Sequence, residues 1–179
     1  MGWFVRWLER FVQLGLELAA SLIRGLLGAP ATAVARATAS IEVRRAEVDD
    51  LLPVRHEVLR PGRPLATAHF DGDDAPDTRH WAAWQADRVV GVVTVIARPH
   101  PDDGTPTWQL RGMAVLPGLQ GEGIGSQLVR TVQAEVAEPM WCNARQRAES
   151  FYLRHGWEPQ GDLFEVDPIG PHRRMVWRG

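Results

Sequence analysis

Lysine is absent from this sequence of 179 residues, and all twenty basic residues are arginines. This absence excludes any site that needs a lysine amine, such as a Walker phosphate loop or a Schiff base. Cysteine occurs once, at Cys142, which excludes an internal disulfide and a cysteine-bound metal cluster. The six histidines do not show HExxH spacing, so we expect no metal in the function.

The sequence also lacks a large excess of charge of either sign. Twenty basic and twenty-two acidic residues give a net charge of −2. Proteins that bind nucleic acid by neutralising phosphates usually carry a basic excess, so we expect no nucleic-acid partner. At 45% hydrophobic residues, a chain of this length is expected to bury one core, which predicts one domain with an appendage.

The appendage is predicted to be an amphipathic helix over residues 1–27. Between Trp3 and Leu27, polar and apolar side chains separate into opposite sectors at helical spacing. Five charges in this stretch argue against a membrane span, and no basic segment precedes an unbroken apolar run as it does in a signal peptide. We therefore expect a cytoplasmic protein.

The sequence alone does not identify the surface that this helix contacts. The helix either packs on its own domain or on another copy of the chain, or lies in a membrane surface with Trp3 and Trp7 at the headgroups. A wrongly assigned translation start is a third alternative. Residues 28–40, GAPATAVARATAS, are small and interrupted by proline, which predicts a linker. The main domain is then predicted over residues 41–179.

Strands and helices alternate along the main domain and predict a mixed α/β fold (α+β) with helices on the faces of one sheet. The predicted strands are IEVRRA, His80–Gln85, Val89–Ala97, WQLRGMAV, MWCNA and HRRMVW. The predicted helices are EVDDLLPVRHEVLR, broken or started at Pro53, one ending near Ala137, and one over Gln146–Arg154.

A glycine-rich stretch, LPGLQGEGIGSQLV, lies between a predicted strand and a predicted helix. Backbone amides at a helix N-terminus attract anions, and glycines let a phosphate approach those amides closely. A dinucleotide-binding GxGxxG motif does not fit, because its third glycine would fall at Ser126. The alternative is a plain helix cap with close packing of the helix on the sheet.

The LQGEGIG segment resembles the QxxGxG signature of the GNAT superfamily of acyl-CoA-dependent N-acetyltransferases, through Gln120, Gly123 and Gly125. The preceding strand LRGMAVLP and the later NARQRAESFYLRHGW fit the same family, and WCNAR, FYLRHGW and GPHRRM resemble a bacterial subgroup. The resemblance covers residues 41–179. It implies a mostly antiparallel sheet flanked by helices, acetyl-CoA as co-substrate and an amine as acceptor.

The resemblance also implies which residues contact acetyl-CoA. The strand before the loop would pair with the pantetheine arm, and the loop amides would hold the pyrophosphate. Asn143 would hold the cofactor or the next helix, although an ordinary helix N-cap is an equal alternative. The implied contacts are Met113, Ala114, Val115, Gln120, Gly121, Glu122, Gly123, Ile124, Gly125, Ser126 and Asn143.

Tyr152, the single tyrosine, falls where the family's general acid lies, and a phenol suits the protonation of a thiolate. The alternative is an ordinary core aromatic residue. Many family members place a glutamate on the strand before the loop, whereas this chain has Arg111 there, which cannot accept a proton. His172 is our candidate base, because imidazole titrates near neutral pH, with an exposed or structural histidine as the alternative.

Weaker candidates for the base are His80, Glu57 and a relay through water. Cys142 is expected to be a small buried residue rather than an acetyl carrier. The segment HFDGDDAPD lacks the spacing of a calcium loop, and we expect it to be solvated and to form an acceptor rim with RPGRP. In that position Asp73 and Asp74 would favour a cationic acceptor.

These observations predict an N-acetyltransferase in which an amine attacks acetyl-CoA directly within a ternary complex. The alternative is a non-catalytic acyl-CoA-binding module, tethered to a membrane through residues 3–27. A third hypothesis makes residues 3–27 an arm for homo-oligomerisation.

Overall fold

Seven strands form one sheet in a computed structural model that describes residues 40–105 and 107–179. The strands are β1 (Ile41–Arg45), β2 (Arg79–Gln85), β3 (Arg88–Ala97), β4 (Trp108–Val115), β5 (Met140–Arg145), β6 (Glu158–Val166) and β7 (Gly170–Trp177). Their order in the sheet is β1-β2-β3-β4-β5-β7-β6, and only β4 and β5 run parallel. The predicted mixed, mostly antiparallel sheet is confirmed. The predicted helix over residues 1–27 lies outside the described residues.

The described residues contain three α-helices, namely α1 (Val48–Leu59), α2 (Ile124–Val136) and α3 (Glu149–Leu153). A capping box starts α1, in which the backbone amide of Glu47 donates to the Asp50 carboxylate at 3.1 Å. Pro53 lies inside α1 rather than breaking or starting it, and the carbonyl that loses its helical partner belongs to exposed Asp49. None of the described helices is long and apolar enough to cross a membrane.

The helices pack on opposite faces of the sheet. On one face, a Cβ added to Gly91 of β3 would lie 3.0 Å from Ile124 and 3.1 Å from Leu128, so α2 rests directly on the strand. On the other face, a Cβ added to Gly112 of β4 would lie 3.0 Å from the Nε atom of Arg55 in α1. We call these the α2 face and the α1 face. Fully buried aliphatic side chains on both faces form the core.

β6 is the strand that the sequence pattern does not predict. It contains Pro159 and Gly161, and both residues are unfavourable inside a strand. β6 lies at the edge of the sheet, where a strand needs partners on one side only and therefore tolerates proline. The predicted helix at Gln146 also differs, because it begins as a 3-10 turn over Gln146–Ala148 before α3.

Candidate active site

A wedge opens between the two parallel strands at the centre of the sheet. β4 and β5 pair only at Trp108 with Met140 and at Gln109 with Trp141. β4 then continues to Val115 and β5 to Arg145 without further pairing to each other. A register shift between β3 and β4, with Gly112 at φ +58°, bends β4 at this point. The backbone of Met113, Ala114 and Val115 therefore lies along a strand edge that β5 does not pair with.

The glycine loop begins at the open end of β4. Gly121 and Gly123 have φ values of +89° and +81°, and a Cβ added to either would meet no atom within 4 Å. Glycine is therefore favoured at these two positions by backbone conformation, and the space over them is open. Gly125 differs, because an added Cβ would lie 3.3 Å from Met113 and 3.4 Å from Phe151. Close packing of the helix on the sheet is therefore confirmed at Gly125, whereas the anion site at Gly121 and Gly123 stays a prediction.

The N-terminus of α2 presents backbone donors beside this loop. The first helical hydrogen bond runs from the Gln127 amide to the Gly123 carbonyl at 3.0 Å, so the amides of Ile124, Gly125 and Ser126 precede the helical ladder. The Gln120 side chain donates to the Val115 carbonyl at 2.9 Å and fixes the loop against β4. Aligned amides at the positive end of a helix suit an anion such as a pyrophosphate.

Tyr152 reaches from α3 to the wedge. Its hydroxyl lies 3.8 Å from the Met113 sulfur, and its ring packs edge-on against Trp157 at 5.3 Å. Burial raises the pKa of the phenol well above 10, and the neighbouring Cys142 raises it further. The phenol therefore stays protonated at neutral pH and is able to donate a proton toward the wedge. Tyr152 is both a core aromatic residue and a neighbour of β4.

Cys142 is buried in β5, and burial raises the pKa of its thiol. A thiol attacks as the thiolate, so this environment opposes a role as acetyl carrier. The prediction that Cys142 is a small buried residue is confirmed.

His172 lies on the α1 face of β7. Its neighbour Arg173 forms an ion pair with Glu149 of α3 at 3.6 Å on the α2 face, and successive strand residues point to opposite faces. His172 Nδ1 lies 2.8 Å from the Gly170 carbonyl. A carbonyl only accepts, so Nδ1 carries the hydrogen and Nε2 is able to accept a proton. Within the described part of the chain, no hydrogen bond or ring contact joins His172 to Tyr152.

Asn143, the last of the predicted cofactor contacts, lies in β5. Asn143 is exposed within β5, where it pairs with Arg174, so the alternative of a helix N-cap is wrong. The strand continues to Arg145, which itself precedes the 3-10 turn.

His80 is buried, with Nδ1 2.7 Å from the Thr94 hydroxyl and Nε2 3.0 Å from the Asp73 carbonyl, so both ring nitrogens are engaged. Glu57 is exposed on α1.

The expectation of a solvated acidic cluster is wrong for Asp73. This residue is 3% exposed, and its carboxylate lies 2.5 Å from the Arg55 guanidinium. The Phe70 amide donates to the same carboxylate at 2.7 Å. α1 buries Arg55 beneath the loop, and a buried guanidinium requires a counter-charge. The Asp73 carboxylate is thus paired inside the protein, whereas Asp74 is exposed.

Arginines gathered around Phe70 are the feature of this site that sequence reasoning missed. Guanidinium carbons of Arg55, Arg60 and Arg111 lie 4.5, 4.9 and 5.3 Å from the centre of the Phe70 ring. Arg111 also donates to the Asp71 carbonyl at 2.7 Å. The RPGRP segment and the complete replacement of lysine by arginine were the available signals.

Comparison with known proteins gives a family match and a bacterial relative. Residues 76–159 match the family described as "Acetyltransferase (GNAT) domain". A Bacillus subtilis (strain 168) protein named "Uncharacterized N-acetyltransferase YitI" is 28% identical over 137 residues, which cover 74% of this chain and 92% of that protein.

Solved structures resemble the fold at low sequence identity. Escherichia coli ElaA has a TM-score of 0.59 and 21% identity, and the match covers 78% of this chain and all of that one. An aminoglycoside 6'-N-acetyltransferase solved with coenzyme A has a TM-score of 0.57 and 16% identity, and the match covers 76% and 96% of the two chains. The described residues contain no group of three or more histidine, cysteine or acidic side chains able to hold a metal ion.

Proposed function

We propose that this chain, which carries a GNAT acetyltransferase domain, transfers an acetyl group from acetyl-CoA to an amine by direct attack within a ternary complex. The observation that carries the proposal is the wedge between β4 and β5, with the glycine loop at its mouth and the Tyr152 phenol beside it. Acetyl-CoA supplies the acetyl thioester.

The residues fit an extended nucleotide thioester in two ways. Open space over Gly121 and Gly123, next to the amides at the start of α2, suits the pyrophosphate. The edge of Met113–Val115, which β5 does not pair with, suits hydrogen bonds to an amide-bearing arm. Gln120 supports the loop through Val115, and exposed Glu122 lies between the two glycines. Asn143 of β5 borders the wedge from the opposite strand.

The transfer requires two proton movements. The amine nitrogen forms a bond to the acetyl carbon while the carbon–sulfur bond breaks, and Tyr152 gives its proton to the departing sulfur. The attacking amine loses one proton, and we assign its acceptance to Nε2 of His172 or to water. The position of the Tyr152 hydroxyl beside Met113 of β4, and the Nδ1 contact that leaves Nε2 of His172 as the acceptor nitrogen, support these roles.

We further propose that the domain begins near Ser40, since Ile41–Gly179 forms a compact unit. Residues 3–27 would then serve as an arm for self-association or membrane contact. Sedimentation of the full chain with and without anionic vesicles tests this. A monomer that stays in solution with vesicles would remove both roles.

Release of coenzyme A from acetyl-CoA, measured with a panel of amines, tests the transfer itself. Turnover that needs both substrates, with no acetylated protein in the mass spectrum when amine is omitted, is the expected result. An acetylated Cys142 would contradict direct attack. Saturable binding of acetyl-CoA without turnover of any amine would favour a non-catalytic acyl-CoA-binding module.

A further inference from the structure

Four arginines near the wedge have no acidic partner. We call Arg60, Arg63, Arg145 and Arg147 the arginine cluster. Among the described residues no carboxylate lies within 4.0 Å of these four guanidinium groups, whereas five nearby arginines do have acidic partners, namely Arg55, Arg98, Arg111, Arg173 and Arg174. The cluster therefore carries positive charge that no acidic side chain of the described residues neutralises.

The members of the cluster lie close enough to affect one another. Burial lowers the pKa of Arg145, and the charges of Arg147 and Arg60 lower it further. Burial likewise lowers the pKa of Arg60, followed by the charges of Arg63 and Arg55. Arg60 and Arg145 are both partly buried, so an anion that bound between them would offset this repulsion.

The cluster faces the side of the wedge opposite the glycine loop. Arg145 points to the α1 face, because its strand neighbour Ala144 pairs with Arg173, which contacts α3 on the α2 face. Arg60 follows α1 and lies 4.9 Å from the Phe70 ring centre. An added Cβ at Gly112 would lie 3.2 Å from that ring, so Phe70 sits over the bend of β4.

We infer that the acceptor is a small amine that also carries an anionic group, a carboxylate or a phosphate, which binds between Arg60 and Arg145. This inference rests on the proposed acetyl transfer, since it names the acceptor for that reaction. Guanidinium groups bind carboxylates and phosphates through paired, charge-assisted hydrogen bonds. Arg145 is also the register partner of His172, so the anchor lies beside the assigned base.

This acceptor differs from the cationic one expected from the acidic loop. The Asp73 carboxylate is paired with the Arg55 guanidinium, and the Asp74 carboxylate lies 3.1 Å from the His69 ring. The unpaired charge that faces the wedge on the α1 face is therefore positive. The glycine loop lies on the α2 face, which separates the arginine cluster from the proposed pyrophosphate site.

Matched pairs of amines test the inference in the full-length chain. Phosphoethanolamine is compared with ethanolamine, and glycine with glycinamide, by kcat/KM for coenzyme A release. We expect at least one anionic member to exceed its neutral partner by about tenfold or more. The Arg145→Gln variant should lose this preference, to within about twofold. Arg178→Gln, which changes an exposed arginine at the far end of β7, should keep it.

Each contrary outcome has a distinct meaning. Equal kcat/KM within both pairs overturns the inference but leaves acetyl transfer intact. A weaker Kd for acetyl-CoA in Arg145→Gln, measured by calorimetry, also overturns it, because the cluster would then bind the cofactor. If acetyl-CoA binds but no amine turns over, the transfer proposal fails, and titration of phosphoethanolamine into the coenzyme A complex decides the anion site alone. Absence of binding there overturns the inference as well.

Discussion

The hydroxyl of Tyr152 lies 3.8 Å from the sulfur of Met113, and this contact joins α3 to the stretch of β4 that has left β5. The phenol thereby reaches the wedge from the α2 face while its ring stays in the core against Trp157. The phenol is thus held in place by packing rather than by a loop, which is the preorganisation that the proposed proton donor needs.

Replacement of Tyr152 by Phe tests this donor. The ring and its contact with Trp157 are retained, so the thermal midpoint should change little. Loss of a general acid is expected to lower kcat by about 10²-fold to 10⁴-fold. The Kd for acetyl-CoA should stay within about twofold, because the phenol acts on the departing sulfur. An unchanged kcat in a folded variant would show that the proton comes from elsewhere.

Gly123→Glu tests the anion site on the glycine loop. The glutamate places negative charge over the amides at the start of α2, so calorimetry should detect no saturable acetyl-CoA binding. Gly118→Glu is the matched control, because it adds the same charge at a position where an added Cβ also meets no atom within 4 Å. The control should bind acetyl-CoA normally.

The positive φ of Gly123 adds a cost that the control does not share. A side chain in this conformation destabilises the fold by about 1 to 2 kcal/mol. Urea unfolding of both variants separates that cost from lost binding. If Gly123→Glu is folded and still binds acetyl-CoA with the original Kd, the loop does not hold the pyrophosphate.

Local sequence patterns predicted the elements that carry the wedge. WQLRGMAV forms β4 with the predicted bounds, and the apolar spacing after the glycines gives α2. The burial of Asp73 was not predictable in the same way. Its environment depends on Arg55, eighteen residues earlier, and an acidic segment rich in glycine and proline has the composition of a solvated loop.

The arginine cluster was missed for a related reason. Arg60 follows α1 and Arg145 ends β5, so their placement on the same face depends on how the helix packs on the sheet, which the RPGRP segment does not reveal by itself. Pairing in register across β5 and β7 also decides which face His172 occupies. Tertiary placement, rather than residue type, separates these side chains from the other arginines and histidines.

Asp73→Asn is expected to destabilise the domain strongly. Both side chains of the Arg55–Asp73 pair are fully buried, and loss of one charge leaves the other without compensation. Breaking such a pair typically costs about 3 to 5 kcal/mol. The exposed Asp74→Asn variant should change the free energy of unfolding by about 0.5 kcal/mol or less. Urea unfolding at pH 7 checks both, and equal stability of the two variants would contradict this account of the pair.

His80 closes a ring of buried hydrogen bonds around the same ion pair. Arg55 donates to the Thr94 hydroxyl at 2.5 Å, and that hydroxyl lies 2.7 Å from His80 Nδ1. Nε2 lies 3.0 Å from the Asp73 carbonyl, which only accepts, so Nε2 carries the hydrogen. Nδ1 must then accept from Thr94. The ring fits a neutral imidazole, and a second proton on His80 would break it.

Acid should therefore destabilise the domain through His80. Burial lowers the pKa of His80 below its ordinary value of 6.5. As the pH decreases, His80 is therefore protonated in the unfolded chain before it is protonated in the folded chain. Below about pH 6.5 the unfolded state binds more protons than the folded state, so the free energy of unfolding decreases as the pH is lowered. Above about pH 6.5 the contribution of His80 to the free energy of unfolding is constant. Urea unfolding between about pH 5 and 7.5 should show this slope in the wild type and in Thr94→Ser, which keeps the hydroxyl. His80→Gln should flatten it, and an equally steep slope in that variant would assign the acid sensitivity to other groups.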